Sequence, residues 1–342
     1  MIQVAILGAT GYTGAELLRL VSQHPYMQVS HACAHSHAGK KVNDVLPNMH
    51  GELAQLTLAS VDDPIPENIE LVFIALPHGA AAKYVARALD ANIRVVDLSA
   101  DFRHPNLKNY QDAYGQPHPY PKLLDKSVYG LSEIAKDDLQ NAHLVANPGC
   151  YPTSVLLPLV PLLRAGLVDS QNIIIDSKSG TSGAGRGAQL GSLFCEVNES
   201  LKAYGLPRHR HSWEMEEWAQ NYGNQDVHIR FTPHLIPMTR GMLSTLHLRG
   251  NNTQLWHKTL SDYYQDSLFV KVYEHGRLPA VNAVNRSNRC DIGLQVLSDS
   301  EVTIVSCIDN LMKGAAGQAI QNANIMLGLN ESLGLSQIAV WP

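Results

Sequence analysis

The sequence predicts an N-terminal α/β part with a doubly wound parallel sheet, followed by an α+β part with a mostly antiparallel sheet covered by helices. Short apolar runs alternate with helical periodicity up to about residue 149. Beyond Cys150 the β-prone segments lengthen, and several alternate apolar with polar positions. The length of 342 residues exceeds one average domain. We therefore expect residues 1–149 plus about 311–342 to form one domain, and residues 150–310 another.

The first part alternates strands with helices. An apolar run at Ile2–Leu7 precedes a glycine turn and a helical spacing over Ala15–Val21. Further strands are predicted at LVFIAL (71–76), IRVVDL (93–98) and HLVAN (143–147), with a helix at Ala80–Leu89. Strands that alternate with helices in this way indicate a parallel sheet.

The second part contains longer β-prone segments. They are IIIDSKS (173–179), DVHIRFTPHLI (226–236), MLSTLHLRG (242–250), SLFVKVYE (267–274) and EVTIVSCID (301–309). Helices are predicted at Ser212–Asn221 and Thr253–Tyr264, where they would cover one face of the sheet. The tail Leu311–Leu329 predicts a terminal helix rich in small residues.

The composition excludes several classes of protein. A net charge of −5 with scattered lysines and arginines argues against a nucleic-acid binder. No apolar run approaches the roughly 18 residues of a membrane span, and the N-terminus lacks a basic signal region, so a cytoplasmic location is expected. The five cysteines show no CxxC spacing, and the clustered histidines lack accompanying ligands. We therefore predict free thiols and no metal site.

The turn GATGYTG follows the first strand and opens a helix. Glycines there let backbone N–H groups approach a pyrophosphate at the helix N-terminus. The spacing is GxxGxxG rather than GxGxxG, but its position supports a Rossmann-type dinucleotide-binding domain over a purely structural turn. The residues expected to contact the cofactor are Gly8, Thr10, Gly11, Tyr12, Thr13 and Gly14.

The segment Val29–Lys41, at the end of the second strand, bears on the type of cofactor. No acidic residue occurs between Glu16 and Asp44 to hold the ribose hydroxyls of NAD. Ser36, Lys40 and Lys41 could instead face a 2′-phosphate, which favours NADP. The alternative is a solvated basic loop, which would leave the choice of cofactor open.

The stretch NPGCYPT places Cys150 after a predicted strand and just before a helical segment, Thr153–Leu163. The dipole at a helix N-terminus stabilises a thiolate, so Cys150 is a candidate nucleophile. Pro158 and Pro161 conflict with a continuous helix. The competing interpretation is an inert buried thiol.

Candidate partners lie in PRHRHSWE. His211 begins a helical stretch, and Glu214 follows on the same face, where its carboxylate could orient the imidazole of a general acid/base. His209 is the competing base, and a surface His-Arg cluster is the non-catalytic alternative. Arg103, in DLSADFR, and Arg186, in SGTSGAGRG, suit an anionic substrate.

Several motifs occur together in one order. They are GATGYTGAELL, ALPHG, VDLSADFR, YGLSE, NPGCYPT, SGTSGAGR, HRHxxE and IDNLMKGAAGQA. From residue 2 to about 329 this pattern resembles the N-acetyl-γ-glutamyl-phosphate reductases, NADP-dependent enzymes of arginine biosynthesis. That family is related to the aspartate-semialdehyde and glyceraldehyde-3-phosphate dehydrogenases.

The resemblance implies a mechanism. Cys150 would attack an acyl phosphate to form a thioester, NADPH would reduce it to N-acetylglutamate semialdehyde, and His211, with His209 as runner-up, would act as base beside Glu214. It also implies a homodimer or homotetramer with no nucleic-acid or membrane partner. Further cofactor contacts would be Pro77, His78, Ser182, Gly183, Gly185, Asn310, Lys313 and Gly314. Substrate contacts would be Arg103, Ser132, Glu133, Asn147 and Arg186.

One departure from the family pattern and three alternatives remain. The family commonly carries Ser-Arg after the second strand, where this chain has Ser36 and His37, so a preference for NADP would rest on Lys40 and Lys41. The alternatives are a related reductase of aminoadipyl or aspartyl phosphate, a cysteine hydrolase or acyltransferase, and a non-catalytic NADP sensor.

Overall fold

The computed structural model describes residues 1–341, which divide into two compact units. The first unit comprises Met1–Pro148 and Ala315–Leu335, and the second comprises Gly149–Gly314 with the segment from Ser336 onward. That last segment groups with the second unit because Asn288 N donates to Ser336 O and Val340 N donates to Asn285 O. The predicted domain boundaries stay predictions, since compactness does not show that either unit folds alone.

The first unit contains the predicted parallel sheet. Its strands are β1 (Ile2–Leu7), β2 (Met27–Cys33), β3 (Leu71–Ile74), β4 (Arg94–Asp97), β5 (Ser127–Tyr129) and β6 (Leu144–Ala146). They lie in the order β2-β1-β3-β4-β6-β5, and every pair is parallel. Strand β3 is buried throughout, and its Phe73 lies between Ile6 of β1 and Val96 of β4. An apolar run is what a parallel strand covered on both faces requires.

Helices connect these strands. They are α1 (Tyr12–Ser22), α2 (Val42–Val45), α3 (Gly51–Gln55), α4 (Ala82–Asp90), α5 (Leu107–Tyr114) and α6 (Lys136–Leu139), with a 3-10 turn at Pro121–Lys126. Helix α1 begins earlier than the apolar spacing indicated, because the glycine turn ends at its N-cap, Gly11.

The second unit contains a seven-stranded mixed sheet. Its strands are β7 (Ile173–Ser179), β8 (Lys202–Ala203), β9 (Ile229–Leu235), β10 (Met242–Arg249), β11 (Val270–Val272), β12 (Cys290–Ser298) and β13 (Glu301–Ile308), in the order β11-β12-β13-β10-β7-β9-β8. The β7–β9 and β11–β12 pairs are parallel, and the other pairs are antiparallel. The predicted combination of a parallel sheet with a mostly antiparallel one is confirmed.

Helices cover one face of this sheet. They are α7 (Cys150–Arg164), α8 (Phe194–Val197), α9 (Arg210–Gly223) and α10 (Trp256–Tyr263), with 3-10 turns at Thr181–Ala184, Leu190–Ser192, Thr253–Leu255 and Val281–Ala283. Helix α7 packs on β10 and β13, and α9 and α10 pack on α7. It is therefore the central helix of the unit.

Helix α7 continues through both prolines that conflicted with it. Pro161 has no N–H to donate to the carbonyl of Leu157, one turn earlier. The hydroxyl of Tyr264 donates to that oxygen instead, at 2.6 Å. Burial on all sides also stabilises α7 by packing, which outweighs poor helix propensity.

The tail predicted as one helix over Leu311–Leu329 forms two elements. A π-helical turn at Met312–Ala316 leads into α11 (Gly317–Met326), which is buried along its whole length and packs on α1 and α6 in the first unit. Within residues 1–341, no helix is both long and apolar enough to cross a membrane.

Candidate active site

Cys150 is the first residue of α7 and is half-buried. The N-cap, Gly149, has extended backbone and provides no side-chain cap of its own. The partial positive charge of a helix N-terminus favours a thiolate. Burial raises the pKa of Cys33 to about 12 and also raises that of Cys307, so those thiols stay protonated.

Gly314 lies directly against the nucleophile. A Cβ added at Gly314 would lie 2.7 Å from Cys150 Cβ and 3.2 Å from its Cα, closer than real side chains approach. Any larger residue at 314 would displace Cys150. The structure therefore gives Gly314, predicted as a cofactor contact, a second reason to be glycine.

The two candidate bases lie at the start of α9. His209 is its N-cap, and its Nδ1 accepts the backbone N–H of His211 at 3.1 Å. Both side chains are buried, with ring centroids 4.9 Å apart. Burial, with a smaller contribution from Arg210, lowers the pKa of His209 to about 4.

Tyr151 joins these histidines to the nucleophile's helix. Its ring centroid lies 5.8 Å from those of His209 and His211, and its hydroxyl lies 2.9 Å from that of Tyr204. Burial raises the pKa of Tyr151, so the phenol stays neutral. This pair could not be predicted from the sequence, because Tyr204 is distant in the chain and stands outside any motif. The structure thus places the residue after Cys150 beside both candidate bases.

Glu214 connects α9 to the N-terminus of α7. Its side chain is fully buried, and Oε1 accepts the N–H of Gly149 at 2.9 Å. The spacing in the sequence predicted a carboxylate that orients His211. That role stays a prediction, and the structure shows a contact that the spacing could not indicate, with the N–H of Gly149, the residue before Cys150. Cys150, His211 and Glu214 are thereby brought into one region of the second unit.

A second group of predicted residues meets beside β10. Asn310 Nδ2 donates to Ser182 Oγ at 2.9 Å, and Asn310 Oδ1 accepts from Gly241 N at 2.7 Å. Gly183 adjoins the same pair, since a Cβ there would lie 3.8 Å from Asn310 Nδ2. Gly185 has a φ of +84°, which favours glycine. Arg186 is exposed on the loop that follows.

Asp309 organises the turn that leads to Lys313 and Gly314. It is fully buried, pairs with Arg240 at 3.0 Å, and accepts the backbone N–H groups of Leu311 and Met312. Lys313 is also fully buried, with Nζ 5.7 Å from the centroid of the Phe269 ring. Sequence reasoning missed Asp309, although it lies inside the quoted motif IDNLMKGAAGQA.

The glycine turn of the first unit fits a dinucleotide. Gly8 has a φ of +85°, and a Cβ there would overlap the carbonyl oxygen of Ala75. A Cβ at Gly14 would overlap the carbonyl oxygen of Gly8. Gly11 caps α1 with extended backbone and no side-chain acceptor. The N-terminus of α1 is thus available to a phosphate. Thr10 and Thr13 are half-buried beside it, and Tyr12 is exposed.

The loop after β2 distinguishes its two lysines. Both lysines are exposed, and Lys41 Nζ donates to Gln55 Oε1 at 2.7 Å. Ser36 Oγ lies 3.2 Å from His37 Nδ1. Of the two lysines, Lys41 is therefore the one whose ammonium group is bound by a neighbouring side chain in this loop.

Asp101 shapes the segment that follows β3. Its carboxylate is fully buried and accepts the N–H groups of Gly79, Ala81 and Ala82 at 2.6, 3.0 and 3.1 Å. These contacts fix the chain just after Pro77 and His78, both of which are exposed. The motif SADFR contains Asp101 but does not indicate this role.

The predicted substrate residues of the first unit have protein partners. Arg103 is buried, with Nε donating to Asn147 O at 2.8 Å and Nη2 to Leu98 O at 2.9 Å. Asn147 and Ser132 are fully buried and both bond to Asn322, a residue of α11. Glu133 Oε1 accepts from Gln321 at 3.0 Å. The contacts of Asn147, Ser132 and Glu133 support the packing of α11, and the substrate roles of all these residues stay predictions.

No metal centre is evident in the part of the chain that the structure describes, since residues 1–341 contain no group of three or more His, Cys, Asp or Glu side chains that could hold an ion.

Comparisons with known proteins agree across both units. The family models described as semialdehyde dehydrogenase, NAD binding domain, and semialdehyde dehydrogenase, dimerisation domain, match residues 3–142 and 150–310. An N-acetyl-gamma-glutamyl-phosphate reductase of Desulforapulum autotrophicum is 48% identical over 340 residues, which is 98% of each chain. A probable chloroplastic N-acetyl-gamma-glutamyl-phosphate reductase of Arabidopsis thaliana is 45% identical, covering 100% of this chain and 86% of its own.

The fold is shared more widely. The crystal structure of aspartate semialdehyde dehydrogenase II from Vibrio cholerae, complexed with ASA, superposes with a TM-score of 0.74, over 96% of this chain and 98% of that one. The identity is 17%, so this likeness concerns the fold alone.

Proposed function

The chain belongs to the semialdehyde dehydrogenase family, alongside N-acetyl-gamma-glutamyl-phosphate reductases, and from that premise we propose that it reduces N-acetyl-γ-glutamyl phosphate with NADPH. The products are N-acetylglutamate semialdehyde and phosphate, in the biosynthesis of arginine. The chain is thus an oxidoreductase with a nicotinamide-binding domain, and the proposal concerns its substrate, its coenzyme and its mechanism. The observation that supports it most is Cys150 at the N-terminus of α7, beside the cluster of Tyr151 and His211.

Cys150 is the proposed nucleophile. Its thiolate attacks the acyl carbon, the bond to phosphate breaks, and a thioester forms at Sγ. His211 takes the thiol proton before the attack and later returns a proton to the oxygen of the reduced carbon. A nicotinamide coenzyme, when bound, supplies the hydride. A thioester accepts a hydride far more readily than a carboxylate, which is why this chemistry requires a cysteine.

The N-terminus of α7 is proposed to stabilise charge twice. Its dipole favours the Cys150 thiolate, and the N–H of Cys150 can donate to the oxyanion that forms on the attacked carbon. Glu214 holds the preceding peptide by accepting the N–H of Gly149 at 2.9 Å. That contact holds the backbone that leads to Cys150, and its role is positioning.

NADP is proposed over NAD from the first unit. No acidic side chain lies between Glu16 and Asp44 to bind ribose hydroxyls, and Lys40 is exposed on the loop after β2. The phosphates are assigned to the N-terminus of α1, where Gly11 leaves the helix without a side-chain cap.

Self-association is proposed through the second sheet. Its face opposite α7 carries alternate residues of β7 and β10. They include Ile174, which is 40% exposed and lies opposite His247, and the half-buried Leu243 and Thr245 further along the same face. The model matched by this region is described as a dimerisation domain. A homodimer or homotetramer is proposed, and its mass can be measured by light scattering.

A cytoplasmic location is also proposed, because free cysteines suit a reducing compartment.

The test is the reverse reaction. N-acetylglutamate semialdehyde, phosphate and NADP⁺ are mixed with the protein, and NADPH is followed by absorbance. We expect turnover by the wild type, almost none by Cys150→Ser, and full activity in Cys195→Ser, which alters an exposed thiol. Equal rates with aspartate semialdehyde would refute the substrate assignment. Thioester turnover without nucleotide would instead indicate a cysteine hydrolase or acyltransferase. Coenzyme binding with no activity in the wild type would indicate a sensor.

A further inference from the structure

We infer that His209 is a positioning residue whose Nδ1 caps α9 and thereby fixes His211, the base of the proposed reaction. The inference rests on the proposed function and assigns different tasks to two histidines that the sequence could not tell apart. Its starting observation is the 3.1 Å contact from His211 N to His209 Nδ1.

His209 holds the first turn of α9 with two acceptors. Its Nδ1 accepts the N–H of His211, and its carbonyl oxygen accepts the N–H of Ser212 at 2.8 Å. Both N–H groups belong to the first turn of the helix, where backbone N–H groups have no acceptor within the helix itself. A side-chain acceptor at the N-cap satisfies one of them. The backbone of His211 is therefore held by the side chain of His209.

The ring of His209 is held in turn by its surroundings. It makes edge-to-face contacts with Tyr151, Tyr204 and Phe231, at centroid distances of 5.8, 5.4 and 5.8 Å. A Cβ added at Gly205 would lie 2.7 Å from His209 Cδ2, so the chain closes tightly on that edge. The imidazole cannot turn to present its other nitrogen to His211 N without moving these neighbours.

The cap makes His209 a poor general base. Because Nδ1 accepts a hydrogen bond, the neutral ring carries its proton on Nε2, and Nδ1 is the only nitrogen able to accept another. Protonation there would place N–H against N–H and break the cap. The low pKa of His209, about 4, agrees with this geometry. The charged and titratable groups around it are Arg210, which disfavours the imidazolium, His211, and the neutral phenols of Tyr151 and Tyr204.

Substitutions that move the acceptor separate the two roles. Asn places a side-chain oxygen near the position of Nδ1 and is among the best N-cap residues. Gln places its oxygen nearer to Nε2, and Ala has no acceptor. We expect His209→Asn to keep kcat within about fivefold of wild type, as a good cap should. We expect His209→Gln and His209→Ala to lose about 100-fold in kcat with little change in KM, because the base is misplaced.

The matched control is His211→Asn, which should lose about 10²–10⁴-fold in kcat whatever residue 209 is. The acid limb of kcat/KM against pH should persist in His209→Asn and vanish in His211→Asn. The inference is overturned if His209→Asn is as inactive as His211→Asn, if it matches His209→Gln, or if it loses the acid limb.

A measurement independent of activity keeps this inference separate from the proposed function. In nitrogen NMR spectra at pH 7, His209 Nδ1 should show the shift of an unprotonated nitrogen, and Nε2 that of an N–H. A proton on Nδ1 would overturn the inference even in a fully active enzyme. A wild type without turnover but with the expected Nδ1 signal would refute the proposed function and leave the cap standing.

Discussion

The buried cap at His209 predicts that acid destabilises the second unit. The unfolded chain protonates this imidazole near pH 6.5, whereas the folded protein does so only near pH 4. Between those values the unfolded state binds more protons, so the free energy of unfolding falls as the pH falls. The stabilising contribution is complete above about pH 6.5 and is lost progressively toward pH 4.

The size of the effect follows from the two pKa values. The full shift corresponds to about 3 kcal/mol, at roughly 1.4 kcal/mol per pH unit. Moving from pH 7 to pH 5 crosses most of that window and should cost about 2 kcal/mol from this residue alone. His24 and His118, whose pKa values burial also lowers, lie in the first unit and are the same in every variant compared.

His209→Asn isolates the contribution, because asparagine caps the helix and does not titrate. The four tryptophans, at 213, 218, 256 and 341, all belong to the second unit, so their fluorescence in urea follows that unit's unfolding. We expect the wild type to lose about 2 kcal/mol more than His209→Asn between pH 7 and pH 5. Equal losses in the two proteins would refute both the buried neutral imidazole and the reasoning built on it.

Three further predictions concern individual contacts. Gly314→Ala should lower kcat about 100-fold, because the added Cβ would lie 2.7 Å from Cys150 Cβ. The control Gly187→Ala should leave kcat unchanged, because the added Cβ there meets nothing within 4 Å. Equal effects of the two substitutions on kcat would contradict this prediction. Glu214→Ala should lower the free energy of unfolding by about 1–3 kcal/mol, because Gly149 N–H is left buried and unpaired. Glu214→Gln, which keeps an acceptor, should lose less in the same urea experiment, and an identical loss would argue against the contact. Lys40→Ala should raise KM for NADPH about tenfold without affecting NADH. Lys41→Ala should have the smaller effect because Gln55 holds that ammonium group, and the reverse order would contradict the assignment.

Much of the fold could be predicted because local patterns determine it. Apolar runs predicted the parallel strands β1, β3, β4 and β6, whereas the three-residue β5 was missed. Two-residue alternation predicted β7 and β10, whose buried and exposed residues alternate as expected. Strand β12 was missed because its sequence, CDIGLQVLS, mixes a charge and a glycine with its apolar residues. The course of α7 through two prolines could not be predicted, since its compensation comes from Tyr264, which is 107 residues distant in the chain.

The candidate site was predictable in its residue types and less so in its contacts. The motifs indicated Cys150, His211 and Glu214, but helical spacing shows only which residues share a face, not the direction of their hydrogen bonds. The carboxylate of Glu214 accepts from a backbone N–H 65 residues away, and the guanidinium of Arg103 donates to two backbone carbonyls. Such partners leave no periodic trace in a sequence.

The hydroxyl of Tyr264 on the carbonyl of Leu157 has a consequence at the far end of α7. A helix that lacks two of its internal hydrogen bonds bends more easily at those points. The Tyr264 hydroxyl satisfies one of the two freed carbonyls, about 10 Å along the helix from the thiol at 1.5 Å per residue. The straightness of the helix that carries Cys150 is therefore supported by a side chain outside the group of candidate catalytic residues.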